Sequence, residues 1–319
     1  MQKTERPNNE KKRLKIHAKG KAYLIQDSPF FRLKSKKKLA ELLCGNLPDI
    51  IALTSDENYR VFNDSSSGKP REIQQPRLQL DIIHTRIASL LCRVQPPGYL
   101  YSGVKGRTYV SNAQAHLGDH RVLTTDIRSF FTSTKQQAIF RFFHRKMECS
   151  PDVAELISRI ATYNGHVPTG SRLSLPVAFW ANFEMFEALN RLSEKRSIKM
   201  TVFVDDLTFS GSVGKQFAAL VSRVVASHGH VVHDGKTRLY SADAVKVVTG
   251  VAVSGDEIKV RNKQLKSIYQ DLVQWLLSKD KLQLDSLNNR LLGRLNAQGQ
   301  VDFRFRDKAR TFRREILQR

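Results

Sequence analysis

Two adjacent aspartates stand inside an apolar segment, VFVDDLTF, at residues 202–209. The apolar residues on both sides predict two short strands that turn at Asp205 and Asp206. A carboxylate in apolar surroundings costs free energy unless it is paired or bound to a cation, so this pair restricts how the segment can fold. Aspartates also form hairpin turns without any ligand, and this segment alone does not decide between the two interpretations.

A third acid favours the metal site. Asp126 follows another β-like run, VLTT, and precedes the apolar-aromatic residues Ser129, Phe130 and Phe131. Two strands that bring carboxylates to one edge of a sheet suit a pair of Mg²⁺ ions about 3.5–4 Å apart. Such ions activate an attacking hydroxyl and stabilise the leaving oxygen in phosphoryl transfer. The three acids therefore predict a catalytic metal centre.

The net charge indicates the partner. The chain has 53 Lys and Arg against 30 Asp and Glu, a formal charge of +23. Such an excess is typical of proteins that bind a polyanion, since neutralising phosphates releases counterions. A generally basic surface and an anionic membrane are the alternatives, but the charge is not concentrated in one amphipathic helix. No apolar run is long enough to cross a bilayer, so we expect no membrane partner. With the acids, the charge predicts a polymerase or a nuclease.

The order of predicted elements indicates an α+β fold whose central sheet carries the acids. We predict a hairpin over 59–76, a strand in the segment 122–131 that ends at an acid, Asp126, and one long helix over 173–192. Residues 246–254 and 257–260 predict a second hairpin, which turns at Gly255 and Asp256. After residue 256 the chain is helical and basic. The three cysteines are far apart and predict neither a zinc site nor disulfides, as expected in a reducing cytoplasm.

Five segments, in this order, resemble motifs of the reverse transcriptase family, and five ordered motifs are more specific than any one of them. They are KPREIQQP (69–76), DIRSFF (126–131), GHVPTGSRLSLP (165–176), FVDD (203–206) and GHVVHDGKTRL (229–239). The resemblance covers roughly residues 55–300. It implies a right-hand polymerase with a helical basic N-terminal extension (1–54), fingers (55–121), a palm (122–255, with a fingers insertion at about 135–167) and a helical basic thumb (256–319).

The resemblance implies roles for the palm residues. It makes Asp126, Asp205 and Asp206 the metal ligands, with a possible further ligand in the backbone carbonyl of Ile127. Phe131 takes the place of the aromatic steric gate that packs under the sugar and excludes a 2′-hydroxyl. An ordinary core phenylalanine is the alternative. The implied cofactor is a pair of Mg²⁺ ions, with Mn²⁺ as a substitute, and the implied substrates are dNTPs.

Other positions are assigned to the incoming nucleotide. Arg71, with Lys69 as helper, would clamp the triphosphate, although a solvated hairpin charge also explains Lys69. Thr169 stands where many family members carry Gln, which puts a side-chain contact to the nucleotide in doubt. Gly170 still permits a close approach of the backbone. Lys236 would either protonate pyrophosphate or contact a phosphate.

Two short elements resemble those of the retron enzymes within this family. One is Asn-Ala-x-x-His at Asn112–His116, and the other is Val248-Thr249-Gly250. With the short C-terminal part, which leaves no room for a further enzyme domain, they favour a retron enzyme over a group II intron-like or diversity-generating one. We assign both elements to RNA recognition, and the basic C-terminal helices to phosphate contacts, with Arg310, Arg313 and Arg314 as test positions.

Resemblance to retron enzymes implies a specific reaction and set of partners. The enzyme would prime from the 2′-hydroxyl of a guanosine in a cognate structured noncoding RNA and make a branched RNA–DNA product, msDNA. It would act in the bacterial cytoplasm, in anti-phage defence, with an accessory effector protein. The competing class is a catalytically dead RNA-binding scaffold, which the presence of all three acids argues against. A basic metal nuclease would need neither Phe131 nor the Pro168-Thr169-Gly170 loop.

Overall fold

A computed structural model describes residues 14–65, 68 and 70–318. The chain divides into two compact units, of which the first contains Met1–Pro96 and Ser129–Glu184 and the second Pro97–Arg128 and Met185–Arg319. The helices are α1 (Lys36–Leu42), α2 (Leu47–Ala52), α3 (Leu78–Leu91), α4 (Tyr109–Gln114), α5 (Phe130–Ser133), α6 (Gln136–Arg141), α7 (Pro151–Ile160), α8 (Ser174–Ala181), α9 (Phe183–Glu194), α10 (Lys215–Ser227), α11 (Asn262–Leu277), α12 (Lys281–Gln298) and α13 (Arg304–Gln318). The strands are β1 (Tyr59–Asp64), β2 (Arg71–Pro76), β3 (Arg121–Asp126), β4 (Lys199–Phe203), β5 (Asp206–Gly211), β6 (Arg238–Tyr240), β7 (Lys246–Val248), β8 (Val251–Ser254) and β9 (Glu257–Lys259).

The second unit contains a four-stranded antiparallel sheet with the strand order β4-β5-β3-β6. Leu123 of β3 lies opposite Phe209 of β5, and both side chains are buried. Burial of such apolar side chains contributes about 25 cal/mol per Å² to folding. The predicted α+β class is confirmed, and the sheet carries all three acids at one end of its central strands.

The strand predicted in the segment 122–131, ending at an acid, is observed. Strand β3 ends at Asp126, and Ile127 makes only an isolated bridge to Val232. Ser129 has a positive φ of 52°, which extended strands do not contain, and helix α5 begins at Phe130. This turn ends the extended chain, so Phe130 and Phe131 lie in helix α5, which belongs to the first unit.

The single long helix predicted over 173–192 is wrong. Helix α8 ends at Ala181 and α9 begins at Phe183, with Asn182 between them. The Asn182 side-chain amide donates hydrogen bonds to the Ala178 carbonyl and to Thr134 Oγ1, both at 2.9 Å. Asn side chains compete with the backbone in this way, so hydrophobic periodicity alone did not detect the break.

The second sheet of the same unit has the order β7-β8-β9. The hairpin predicted to turn at Gly255 and Asp256 is confirmed, but the segment before it folds into a hairpin of its own. Thr249 and Gly250 form that extra turn with positive φ values of 44° and 84°, the conformation that two-residue hairpin loops favour. Helix α4 packs on this sheet through Val110 and Ala113.

The first unit contains the predicted hairpin, in which β1 and β2 pair antiparallel from Tyr59 opposite Pro76 to Asp64 opposite Arg71. In the same unit, buried His84 of α3 connects this helix to the end of α7 and to the segment 165–176. One ring nitrogen of His84 hydrogen-bonds to Ser171 Oγ at 2.6 Å, and the other to the Ile160 carbonyl at 2.8 Å. Burial lowers the pKa of His84 to about 4, so the ring is neutral at physiological pH.

Helices α11, α12 and α13 enclose a small core of their own. Trp275 and Phe312 pack edge to face with ring centroids 4.9 Å apart. Buried Asp271 forms ion pairs with Arg290 at 3.0 Å and Arg294 at 2.9 Å. Those two arginines therefore hold α11 against α12 and are not available as simple phosphate contacts. Within the described residues, no helix is both long and apolar enough to span a membrane.

Candidate active site

The two adjacent aspartates lie at a tight hairpin turn. Phe203 at the end of β4 pairs with Asp206 at the start of β5, so Val204 and Asp205 alone form the loop. Val204 has a φ of 62°, which is strained for a β-branched residue and costs on the order of 1–3 kcal/mol. Its backbone N–H donates to Ser102 Oγ at 2.9 Å, which helps to hold the strained turn.

The register of β3 against β5 completes the acidic cluster. Asp126 lies directly opposite Asp206, and the Ile127 N–H donates to the Asp205 carbonyl at 2.9 Å. Carboxylate oxygens of Asp126, Asp205 and Asp206 all lie within 4.8 Å of one another. Asp126 is buried and the other two are half-buried. The structure thus brings together the three acids that the sequence predicts as one group.

The electrostatics of the cluster fit a cation. Burial, followed by the charges of Asp205 and Asp126, raises the pKa of Asp206 to about 6. Three close carboxylates destabilise one another unless positive charge is added between them. Their hard oxygen donors suit Mg²⁺ or Mn²⁺ better than softer metals. The donor set of this structure therefore fits the divalent metal ions implied by the sequence.

The raised pKa of Asp206 predicts a pH-dependent stability difference in metal-free protein. The folded state binds the Asp206 proton more tightly than the unfolded state, whose carboxyl has a pKa near 3.8. The resulting stabilisation is complete below pH 3.8 and is lost as pH rises through about 6. We expect Asp206→Asn, without metal, to unfold at higher urea concentration than wild type at neutral pH, by on the order of 2–3 kcal/mol.

Near pH 4 the two proteins should have nearly equal free energies of unfolding, because wild-type Asp206 is then protonated. Adding Mg²⁺ at neutral pH should stabilise the wild type more than the variant. A stability difference that does not change with pH would show that Asp206 is not under electrostatic strain.

Lys236 supplies the nearest observed positive charge. Its Nζ lies 2.7 Å from Asp126 Oδ2, and this hydrogen bond is the main reason that the pKa of Lys236 is raised. The short helical turn Asp234–Lys236 holds the lysine, and the His233 N–H donates to the Asp126 carbonyl at 2.7 Å. A side chain predicted to meet phosphate is therefore in direct contact with a predicted metal ligand.

A cavity of about 350 Å³ adjoins the acids within the second unit. Its lining includes Asp126, Asp206 and Lys236, together with Thr249 and Gly250. Arg238 and Arg261 also line this cavity. Sequence reasoning placed neither arginine at the acids, although Arg238 lies only two residues beyond Lys236 in the segment 229–239. The Val-Thr-Gly turn thus shares a cavity with Asp126 and Asp206.

The two elements that resemble those of retron enzymes contact each other. The Asn112 side-chain amide lies 3.4 Å from Thr249 Oγ1, and that hydroxyl donates to the Tyr109 carbonyl at 2.8 Å. Asn112 is buried, and its Oδ1 has no hydrogen-bond partner among the described residues. Val248 is fully buried. Asn112 and Thr249 are 137 residues apart in the sequence but are in contact in the structure.

His116 does not offer its ring to RNA, contrary to its assignment from the sequence. The side chain is fully buried, with one ring nitrogen 2.7 Å from Ser210 Oγ and the other 2.7 Å from Thr201 Oγ1. Burial, followed by the charge of Lys199, lowers the pKa of His116 to about 3. The histidine therefore fixes the end of α4 to strands β4 and β5.

The predicted nucleotide-binding positions of the first unit lie on β2 and the loop beside it. Arg71 is exposed at the start of β2, and Lys69 lies outside the described residues. The Thr169 N–H donates to Gln74 Oε1 at 2.9 Å, and its hydroxyl donates to the Glu72 carbonyl at 2.9 Å. The Thr169 side chain is thus engaged with the hairpin.

The contact between this loop and strand β2 requires glycine at position 170. A Cβ at this position would lie 2.7 Å from the Gln74 carbonyl oxygen and 2.8 Å from Ile73 Cγ2. The observed close approach of the Gly170 backbone is to strand β2, and its predicted approach to the nucleotide stays a prediction. Together Thr169 and Gly170 fix the hairpin that carries Arg71 to the loop in the segment 165–176.

Phe130 and Phe131 differ in burial. Phe130 is 3% exposed, whereas Phe131 is half-buried, and their ring centroids are 5.8 Å apart. A core side chain explains Phe130 well. Phe131 presents part of its ring at the surface of the first unit, as a residue that contacts a ligand must.

The predicted phosphate-binding arginines lie on helix α13 and are exposed. Arg310 forms a surface ion pair with Asp307 at 3.2 Å. Among the described residues, Arg313 and Arg314 have no carboxylate within ion-pair distance. Because surface ion pairs contribute at most about 1 kcal/mol, Arg310 can exchange its partner for a phosphate.

Comparison with known proteins agrees with the motifs. No family model matches the chain. The retron Ec48 reverse transcriptase of Escherichia coli is 23% identical over 323 residues, which cover 93% of this chain and 78% of that protein. The retron Ec86 reverse transcriptase of the same species is 22% identical over 226 residues, or 69% of this chain and 70% of that protein. A solved structure of telomerase from Candida albicans, in complex with a fragment of telomeric RNA, aligns with a TM-score of 0.46 and 10% identity over 76% of this chain and 56% of that chain.

Proposed function

We propose that this chain, an RNA-directed DNA polymerase related to the reverse transcriptases of bacterial retrons, extends a primer with dNTPs by means of two Mg²⁺ ions held by Asp126, Asp205 and Asp206. Its α+β fold is of the right-hand polymerase class, with the acids on an antiparallel sheet. The single observation that carries the proposal is the convergence of the three carboxylates within 4.8 Å at paired strand ends. Mn²⁺ is the expected substitute ion.

Several of the predicted residues have a part in the proposed reaction. The bound ions would activate the primer hydroxyl and stabilise the leaving pyrophosphate. Lys236, already 2.7 Å from Asp126, would donate a proton or a hydrogen bond to that pyrophosphate. Arg71 would bind the triphosphate, and the exposed part of Phe131 would pack under the sugar. We propose the backbone carbonyl of Ile127 as an additional ligand.

We infer a retron-type reaction from the relatives and from the two elements that meet at Asn112 and Thr249. The primer would be the 2′-hydroxyl of a guanosine in a cognate noncoding RNA, and the product a branched RNA–DNA molecule, msDNA. Action in the bacterial cytoplasm, with an effector protein and against phage, completes the proposal. The fingers, palm and thumb boundaries given above belong to it as well.

Chemically defined RNA tests the priming proposal. The cognate RNA is synthesised with 2′-deoxyguanosine at the proposed priming position and, as a control, at a neighbouring guanosine. We expect the first substitution to abolish DNA synthesis from that RNA and the second to leave it unchanged, because only the first removes the attacking hydroxyl. Equal DNA synthesis from both RNAs would exclude 2′-priming while leaving the polymerase assignment intact.

Two sets of variants should separate general RNA affinity from recognition of the cognate RNA. Replacing Arg310, Arg313 and Arg314 with Ala should weaken binding to any structured RNA, because phosphate contacts carry little sequence information. The slope of log affinity against log salt should fall by roughly one unit per lost contact. A charge-matched control replaces Arg141, Arg145 and Arg159, three exposed arginines of the first unit.

Thr249→Ala removes the hydroxyl that bonds to the Tyr109 carbonyl and contacts Asn112. We expect this variant to lose DNA synthesis on the cognate RNA while it still extends a generic primer–template. Affinity and extension rates are measured on both substrates. If the Thr249 variant and the triple arginine variant lose cognate and generic activity in equal proportion, the Val-Thr-Gly element is only a structural turn.

A further inference from the structure

The central strands of the four-stranded sheet carry basic groups at the end opposite to the acids. Asp126 pairs with Asp206 at one end, and Arg121 pairs with Gly211 at the other. Five residues of extended strand separate the two ends, a distance of about 17 Å. A cavity of about 760 Å³ opens at the second end, within the second unit. We call it the distal basic cavity, lined by His120, Arg121, Arg196 and Lys215.

The cations of the distal basic cavity are not neutralised. Arg121, Arg196 and Lys215 are exposed, and within the described residues none of them has a carboxylate at ion-pair distance. The Arg196 guanidinium donates only to the Leu192 carbonyl, at 3.2 Å. Other arginines, such as Arg172 and Arg304, are paired with aspartates. A concave surface with one sign of charge concentrates the field and attracts anions.

Two further side chains near the cavity, Lys246 and His120, also indicate a positive electrostatic potential. Lys246 is fully buried behind the loop before β3, where its Nζ donates to the Gly118 carbonyl at 3.0 Å and the Ala242 carbonyl at 2.7 Å. Burial first, and then the charges of Lys246 and Lys199, lower the pKa of His120. The Nε2 atom of His120 is buried and has no hydrogen-bond partner in the described part of the chain.

We propose that the distal basic cavity binds the phosphate backbone of an RNA segment other than the one being copied. The cations are spread around an open cavity, as successive phosphates of a strand require, and the whole chain has a charge of +23. The primer–template lies at the acids, at the other end of the strands, so one unit would hold the RNA at two places. This inference rests on the proposed use of RNA but not on polymerase chemistry.

The test compares two triple variants. One replaces Arg121, Arg196 and Lys215 with Ala, and the charge-matched control replaces Arg141, Arg145 and Arg159 with Ala. All six side chains are exposed, so the substitutions should cost little stability. The probes are a long, labelled RNA hairpin with single-stranded flanks and a short primer–template that is not long enough to reach from the acids to the distal basic cavity. Affinity for the hairpin is measured over a range of salt concentrations.

We expect the distal variant to bind the long RNA about tenfold more weakly and to lose about two to three units of salt slope, at roughly 0.7–0.9 per phosphate contact. Its extension rate on the short primer–template should equal that of the wild type. Equal loss of affinity in the control variant, or no loss in the distal variant, would overturn the proposal. If a dNTP displaces the long RNA from the wild type but not from the distal variant, the cavity is a nucleotide site and the RNA assignment is wrong.

Failure of the polymerase proposal gives a different result. If the wild type does not extend the short primer–template at all, the polymerase proposal fails, and the affinity difference between the two triple variants still decides whether the distal basic cavity binds RNA.

Discussion

Asp126→Asn and Asp205→Asn should each lower the rate of primer extension by about 10²–10³-fold or more. Both side chains belong to the group of carboxylates whose oxygens lie within 4.8 Å of one another. An amide has nearly the same shape as the acid but lacks the negative charge that holds a divalent ion. The loss should therefore fall on the chemical step, and affinity for RNA should remain near that of the wild type.

Asp256→Asn is a matched control, since Asp256 is an exposed aspartate at a hairpin turn of the same unit. Single-turnover extension and equilibrium RNA binding are measured for each variant. A full extension rate in either catalytic variant would remove that residue from the metal site. Parallel losses of RNA affinity and extension rate would instead indicate a folding defect.

Phe131→Ala should raise the incorporation of ribonucleotides relative to deoxynucleotides by on the order of 10²-fold. A steric gate rejects the 2′-hydroxyl by occupying its space, and truncation to Ala removes the ring. The half-buried position of Phe131 beside the buried Phe130 agrees with this role. The readout is the ratio of the two extension rates on one primer–template.

Two further variants make the gate prediction specific. Phe131→Tyr keeps the bulk of the ring and should leave the ratio close to that of the wild type. Phe130→Ala removes a ring that is only 3% exposed, so it should lower the free energy of unfolding by about 3–5 kcal/mol without changing the ratio. An unchanged ratio in folded, active Phe131→Ala would mean that Phe131 is an ordinary core residue.

The grouping of the three acids was predictable because the apolar runs beside Asp126 and the Asp205–Asp206 pair specify strands that end or begin at these acids. The hydrophobic pattern of the two strands then restricts their register, in which Asp126 lies opposite Asp206. The motif order added the family resemblance, which the relatives confirm. The α+β class followed from the same pattern.

Contacts between distant segments were not predictable in this way. The bond between Asn112 and Thr249 joins two short elements whose meeting neither spacing nor composition indicates. The burial of His116 follows from the strands that pack on it, and its own sequence neighbours give no signal of that packing. The break at Asn182 depends on Thr134, which lies 48 residues away.

The distal basic cavity was also not predictable from the sequence. Its lining comes from residues 120–121, 196–197, 211–217 and 220, which share no motif. Each basic residue there looks like any of the 53 Lys and Arg of the chain. Only the pairing of β3 with β5, and the lack of acidic partners among the described residues, distinguishes them.

The central claim is that the chain copies RNA into DNA, and one assay tests it most directly. Wild-type protein is incubated with a labelled primer on an RNA template, all four dNTPs and Mg²⁺, with Asp205→Asn in parallel. We predict primer extension to the end of the template that requires both the metal ion and dNTPs, no cleavage of the template, and no extension by Asp205→Asn. Metal-dependent cleavage of the RNA without extension would contradict the claim and make the acidic cluster a nuclease centre.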